Sequence, residues 1–174
     1  MVYLFHMEKL PIHLSKISLI TGKLISYLTI LMVIGTLGIV ILRYAFDMGW
    51  IFIQEIIVWM HAAVFMLGAA YTYHHNEHVR VDIFFQGFSK KRQALVNLLG
   101  NVLFLIPFTL AIIYFCWDYM ASSWSIREAS REAGGLPYPF VPLLKSMIPL
   151  TAFLLLLESV AQAITSYIDF KEAD

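Results

Sequence analysis

Three of the chain's six histidines fall within five residues, His74-His75-Asn76-Glu77-His78, beside a glutamate. His74, Glu77 and His78 fit the H-x-x-E-H order of one group of zinc hydrolases, in which two imidazoles hold the metal and the carboxylate activates a water. That chemistry needs a third ligand. The downstream carboxylate that the chain could carry towards the pair is Glu158, which sits inside a long apolar run and would have to leave it to serve. Membrane iron oxygenases need several histidine boxes, and outside this cluster only His6, His13 and His61 remain. A haem between helices needs two inward imidazoles at matching depth. His61 stands alone in its apolar run and reads as a hydrogen-bonded packing residue. A metalloenzyme on His74, Glu77 and His78 and a haem-bearing anchor therefore stand as the alternative readings.

Composition sets the class in which any such cluster must work. Of 174 residues, 60% are hydrophobic and 14% charged, with a mean hydropathy of +0.74, too apolar for a soluble domain of this length. The chain reads as an all-α integral membrane protein. Its formal net charge of zero, from 12 basic and 12 acidic residues, offers no basic surface for nucleic acid. Cys116 is the single cysteine, so no disulfide can form within the chain.

Long apolar runs extend from Leu24 to Leu42, Ile51 to Tyr73, Leu95 to Trp117 and Val141 to Ile168. Each reaches the roughly 20 residues that cross about 30 Å of hydrocarbon as a helix. They predict transmembrane helices over about 24–45, 51–73, 95–120 and 141–168, in one membrane domain covering 1–174. Pro107 and Pro149 are then expected as kinks. The first run is too long for a signal peptide and lacks a small-residue cleavage site after it, so it is expected to be retained.

Lys9, Lys16, Lys23, Arg80, Lys90, Lys91, Arg92 and Lys171 fall on one side of these spans. The other side has Arg43, Arg127, Arg131 and Lys145, largely offset by Asp47, Asp118, Glu128 and Glu132. The positive-inside rule then places both termini and the histidine cluster in the cytoplasm. Before the first span, Lys9, His13, Lys16 and Lys23 recur at helical spacing among Leu10, Ile12, Leu14, Ile17, Leu19 and Ile20. This predicts an amphipathic helix over about 9–23, lying in the membrane interface.

Polar residues within spans face protein or water, because hydrocarbon is costly for them. The second span carries Gln54, Glu55 and His61, and the fourth Lys145, Glu158 and Gln162. Arg43, Glu55 and Lys145 lie near the outer ends of their helices, close enough in depth to pair. Glu158 and Gln162 share one face, well inside the fourth span, and either line a seam against a partner helix or pair locally in a four-helix bundle. A transporter with its own core usually shows repeats, broken helices and midplane polar groups in several spans. The first and third runs hold no charge, which favours a scaffold subunit over a self-sufficient carrier. In the outer loop, 122–138, Arg127 and Arg131, like Glu128 and Glu132, are spaced by four, predicting a short helix ended by Gly134, Gly135 and Pro137. That loop is either a surface for a periplasmic partner or a solvated connection.

Gln54-Glu55 followed by Trp59, Leu67-Gly68-Ala69-Ala70-Tyr71-Thr72, His78-Val79-Arg80-Val81-Asp82, and Gly134-Gly135-Leu136-Pro137 with Lys145 occur in that order. From Arg43 onward the chain resembles the small, DctQ-type membrane subunit of tripartite ATP-independent periplasmic (TRAP) transporters. The resemblance implies a bacterial inner-membrane protein whose partners are a large multi-span subunit, a periplasmic substrate-binding protein and membrane lipids. The large subunit would move an organic acid by a sodium-driven elevator motion, and the small one would brace it, with no cofactor in this chain and no enzymatic activity. Candidate partner-interface residues are Arg43, Gln54, Glu55, Trp59, Arg80, Asp82, Lys145 and Glu158. Candidates for periplasmic docking are Arg127, Glu128, Arg131 and Glu132.

Overall fold

In hydrocarbon each backbone N–H and C=O must find its partner within the chain, and a helix achieves this within one segment. The computed structural model describes residues 2–78 and 83–173, with side chains from Leu10 onward. Helix α1 covers Val2–Phe46, α2 Ile51–His74, α3 Lys90–Gly100, α4 Ile106–Ser125 and α5 Phe140–Glu172. A π-helical turn, Asn101–Leu105, joins α3 to α4. Among the described residues, four helical stretches (10–46, 51–74, 90–125 and 140–172) are long and apolar enough to cross a membrane, as the sequence predicts. An even number of crossings brings both termini to one end, here the terminal end, and the 126–139 loop to the other, the loop end. Arg80 and Asp82 lie outside the described residues.

The predicted break between an interfacial helix over 9–23 and a first span from 24 is not present: α1 runs through both without interruption. Its lead-in has three faces. His13, Lys16 and Lys23 are exposed, as expected. Leu10, Ile12 and Ile17 are exposed too, Ile12 at 66%. The face turned to the protein is Pro11, Ser15, Ser18 and Gly22, small residues recurring every three or four positions, with Ser18 fully buried. Small side chains let helix backbones approach closely. At Gly22 the approach is so tight that an added Cβ would run into Cβ and Cγ of Tyr71 on α2.

Helix α5 holds most of the core, including Met147, Ala152, Leu154, Ala161 and Ala163. It packs on α1, α2, α3 and α4, whereas α1 packs on α2 and α5, and α4 on α5 and the π turn. Among the described residues α4 has no comparable contact with α1 or α2, so the four spans form an open array around α5. On α2 the inward residues are Ala63, Leu67 and Ala70, one apolar stripe at helical spacing.

Helix ends and irregularities follow from individual residues. Asp47, Asn76 and Arg127 each adopt positive φ (52°, 59° and 51°) just past a helix C-terminus. At Asn76 and Arg127 the following N–H reaches back six residues inclusive, Glu77 N to Thr72 O and Glu128 N to Ser123 O, both 3.1 Å, which satisfies carbonyls the helix leaves open. Pro107 has no N–H to donate and its ring collides with the carbonyl four residues back. The chain accommodates it with the π turn immediately before, while α5 continues unbroken through Pro149. Within the π turn Asn101 is buried; its Oδ1 accepts from the Tyr73 hydroxyl at 2.8 Å and its Nδ2 donates to Asn97 O at 2.9 Å.

Candidate functional site

Most of the hydrogen-bonded candidate residues gather in two clusters, one at each end of the helices. At the loop end, Glu55 near the start of α2 accepts from the Ser130 hydroxyl and from the Leu136 backbone N–H at 2.5 Å. Ser130 N also donates to Leu136 O at 3.0 Å, closing the loop on itself over that carboxylate. Gly135 leaves room for it, because a Cβ there would meet the Ser130 side chain, Cβ included, and Glu55 Oε2, each within 2.7 Å. Trp59, one turn further along α2, donates from Nε1 to Phe140 O at 3.3 Å and meets the Phe140 ring edge-on.

Lys145 and Glu55 are not paired with each other. Lys145 Nζ donates to Glu128 Oε2 at 2.6 Å and lies 4.1 Å from the centre of the Tyr119 ring. The Ser123 hydroxyl donates to the same Glu128 oxygen at 2.6 Å. Arg43 is exposed at the end of α1 and joins neither group. The short helix predicted over 122–138 is absent: α4 ends at Ser125 and no helix begins before Phe140. Arg127 in the left-handed region ends α4, and Lys145 draws the following Glu128 side chain inward. Of the docking candidates, Arg127, Arg131 and Glu132 are exposed, whereas Glu128 is partly buried and engaged. A cavity of about 450 Å³ opens between the loop, α2 and α5, lined by Gln54, Val58, Leu136, Phe140 and Leu144 among others.

The Lys145 hydrogen bond, and then that from Ser123, hold the Glu128 carboxyl below its usual value. A carboxylate lowered in the folded state contributes stability above its unfolded pKa and loses it as pH falls through the folded value. Acidification past the ordinary carboxylate range should therefore release the loop, read as a step in Trp124 emission, since Trp124 donates to Ser146 at 2.9 Å beside it. Glu128→Gln should show the released signal at every pH. The same acid step in that variant would count against Glu128 as its origin.

At the terminal end the histidines diverge. His75 Nδ1 takes Tyr71 O at 3.0 Å, His78 Nε2 takes Ala69 O at 3.1 Å, and His74 Nδ1 takes Glu158 Oε1 at 2.8 Å. Glu77 is exposed. Among the described residues no group of three or more His, Cys, Asp or Glu side chains converges. Of the residues that would share one ion, His74 and His78 are turned to separate acceptors and Glu77 faces outward. Asn76 explains the crowding, since its left-handed conformation ends α2 and turns the imidazoles about the last helical turn.

Glu158 lies level with the end of α2, not deep in the span as its place in the apolar run suggests. The 33 residues of α5 extend about 50 Å, well beyond the hydrocarbon thickness. Fully buried, Glu158 Oε1 receives Ser15 Oγ at 3.1 Å, His74 at 2.8 Å and Gln162 Nε2 at 3.2 Å. One carboxylate thus ties α1, α2 and α5 together. Its second oxygen, also buried, has no partner among the described residues. Of the two readings for Glu158 and Gln162, the structure has the local pairing, which takes Glu158 out of reach of another subunit's surface. Ser15 and His74 were missed as its partners, since neither depth nor helix offset is written in hydropathy. His61 is exposed on α2, so it is not the packing residue the sequence predicts.

A family model for the DctQ component of tripartite ATP-independent periplasmic transporters matches residues 32–167. The chain belongs to the DctQ family. It is accordingly a small-subunit component of a TRAP transporter and a multi-pass membrane protein. No curated protein matches it significantly. The matched stretch of this DctQ chain contains Glu55, Trp59, Lys145 and Glu158, and starts within α1 after Ser15 and Gly22. Glu55, Trp59, Gly135 and Lys145, all within the matched stretch, lie at the loop end, where each positions part of the 126–139 loop or the start of α5.

Proposed function

We propose that this DctQ chain is the fixed, bracing half of a sodium-coupled TRAP unit that imports an organic acid across the bacterial inner membrane. One observation carries the reading: Glu55, Lys145 and Glu158, three ionisable groups of its helices, fasten the chain to itself. Glu158 holds three helices, Lys145 holds Glu128, and Glu55 holds the loop. Helices α1, α2 and α4 meanwhile turn large apolar side chains outward, such as Ile34, Phe65 and Tyr114. A protein built this way supplies a rigid wall, and the moving solute and sodium sites belong to the large subunit. Lys16, Lys23, Lys90, Lys91, Arg92 and Lys171 at the terminal end favour cytoplasmic termini. That leaves the pinned 126–139 loop in the periplasm, where exposed Arg127, Arg131 and Glu132 offer charge to a binding protein. Glu55, Trp59 and Lys145 act indirectly, by holding that loop in shape. The chain is no enzyme and takes no cofactor in this reading.

Removal of the chain from cells that keep the large subunit and the binding protein should abolish uptake of the organic acid driven by an imposed sodium gradient. Re-expression should restore it. Uptake that persists at the original rate without this chain would overturn the proposal.

A further inference from the structure

An imidazole in mid-span that faces neither its own protein nor water is a costly arrangement in hydrocarbon. His61 stands near the middle of α2, within Ile51–His74, and is exposed. The exposed threonines Thr29 and Thr36 of α1 are different, because a hydroxyl can return a hydrogen bond to its own helix. A ring nitrogen at His61 needs a partner from outside.

The surroundings are shaped for one. Val58, His61 and Phe65 recur every three to four residues and face away from both neighbours, with Val58 64% and Phe65 76% exposed. The inward stripe of Ala63, Leu67 and Ala70 meets the core on another side, while Tyr71 and Ile57 meet Gly22 and Gly35 of α1 on a third. Towards the loop end the stripe runs into the cavity of about 450 Å³ that Gln54 and Val58 line. Towards the terminal end it runs into a second hollow of about 560 Å³, lined by Thr29, Phe65, Gly68, Ala69 and Thr72. The result is a lengthwise seat with polar groups at its ends and an imidazole at its centre. Acyl chains fill hollows but accept no hydrogen bond, whereas a helix satisfies both demands.

We infer that the Val58–His61–Phe65 face of α2 seats one transmembrane helix of the large TRAP subunit, which brings a hydrogen-bonding side chain opposite His61. This rests on the proposed function above and names its contact surface. The tests use the two subunits expressed together. A photo-reactive amino acid at Val58 or Phe65 should cross-link to the large subunit within the membrane. His61→Leu should lower recovery of the large subunit on purification in detergent roughly tenfold, the worth of one interhelical hydrogen bond in lipid. His61→Gln, which keeps a donor and an acceptor, should restore it, and that rescue separates a polar contact from mere shape. If the wild-type subunits co-purify but Val58 and Phe65 cross-link only to lipid or to a second copy of this chain, the inference is wrong. It is equally wrong if His61→Leu co-purifies like wild type. Wild-type subunits that never associate would instead sink the transporter reading, and this surface with it.

Discussion

Gly22→Ala is expected to unseat α1 from α2. The added methyl has no room, since it would meet Cβ of Tyr71, an atom fixed to the backbone of the facing helix. Because the obstacle is not the tip of a flexible side chain, rotamer changes cannot clear it and the helices must separate. Overpacking of this kind costs about 1–3 kcal/mol. The better helix propensity of alanine returns about 1 kcal/mol at most. Gly38→Ala, on the same helix with open space at its Cβ, is the control and should be neutral or slightly stabilising. Thermal unfolding in detergent distinguishes them, together with hydrogen exchange over 10–46. A Gly22→Ala protein that melts with the wild type would show that the contact is looser than it stands here. Separation of α1 would also withdraw Ser15 from Glu158, so the lead-in should lose protection before the rest of the helix.

Glu55→Ala should release the 126–139 loop while the helices remain intact. Two loop groups, the Ser130 hydroxyl and the Leu136 N–H, converge on that one carboxylate. Without it the Leu136 N–H is left unpaired in a residue that is only 5% exposed. Arg127 and Arg131 are exposed on the same loop and make it a substrate for trypsin once it can open. Cleavage there should accelerate by roughly tenfold, the scale of losing a hydrogen bond to a charged group. Gly135→Ala should give the same pattern from the other side, by pushing a methyl against the Ser130 side chain and the Glu55 carboxylate it donates to. Under the proposed function both variants keep the large subunit and lose uptake, because the helix faces are untouched. Unchanged cleavage in both would mean that Lys145 and Glu128 suffice to hold the loop.

How much of this was legible beforehand differs from element to element. The spans were, because length and apolarity are local properties that the bilayer reads directly. The stretch from Arg127 to Glu132 was not: spacing by four suggested a helix, but a left-handed Arg127 and a Glu128 drawn to Lys145 depend on α5, which is distant in sequence. The same holds for Lys145, whose partner lies seventeen residues away in the loop and not on α2. The lead-in misled in another way. Its lysines and isoleucines make the visible pattern, yet the packed face is Pro11, Ser15, Ser18 and Gly22, which hydropathy scales rate as indifferent. The H-x-x-E-H order was real as text. It has a mundane cause in a helix end that needed asparagine for its turn and one imidazole to meet Glu158.

The central place of α5 also orders events in time. Ribosomes deliver the N-terminal helices first, and α1 and α2 can pair at once through Gly22 and Gly35. Among the described residues helix α4 has no comparable companion, because its packing is against α5 and the π turn next to it. During synthesis it must wait in the lipid until the 33-residue α5 arrives and gathers both halves. The central helix thus follows the crossings it gathers, and the vulnerable interval is the one before α5 emerges, when among the described residues little yet holds the third crossing.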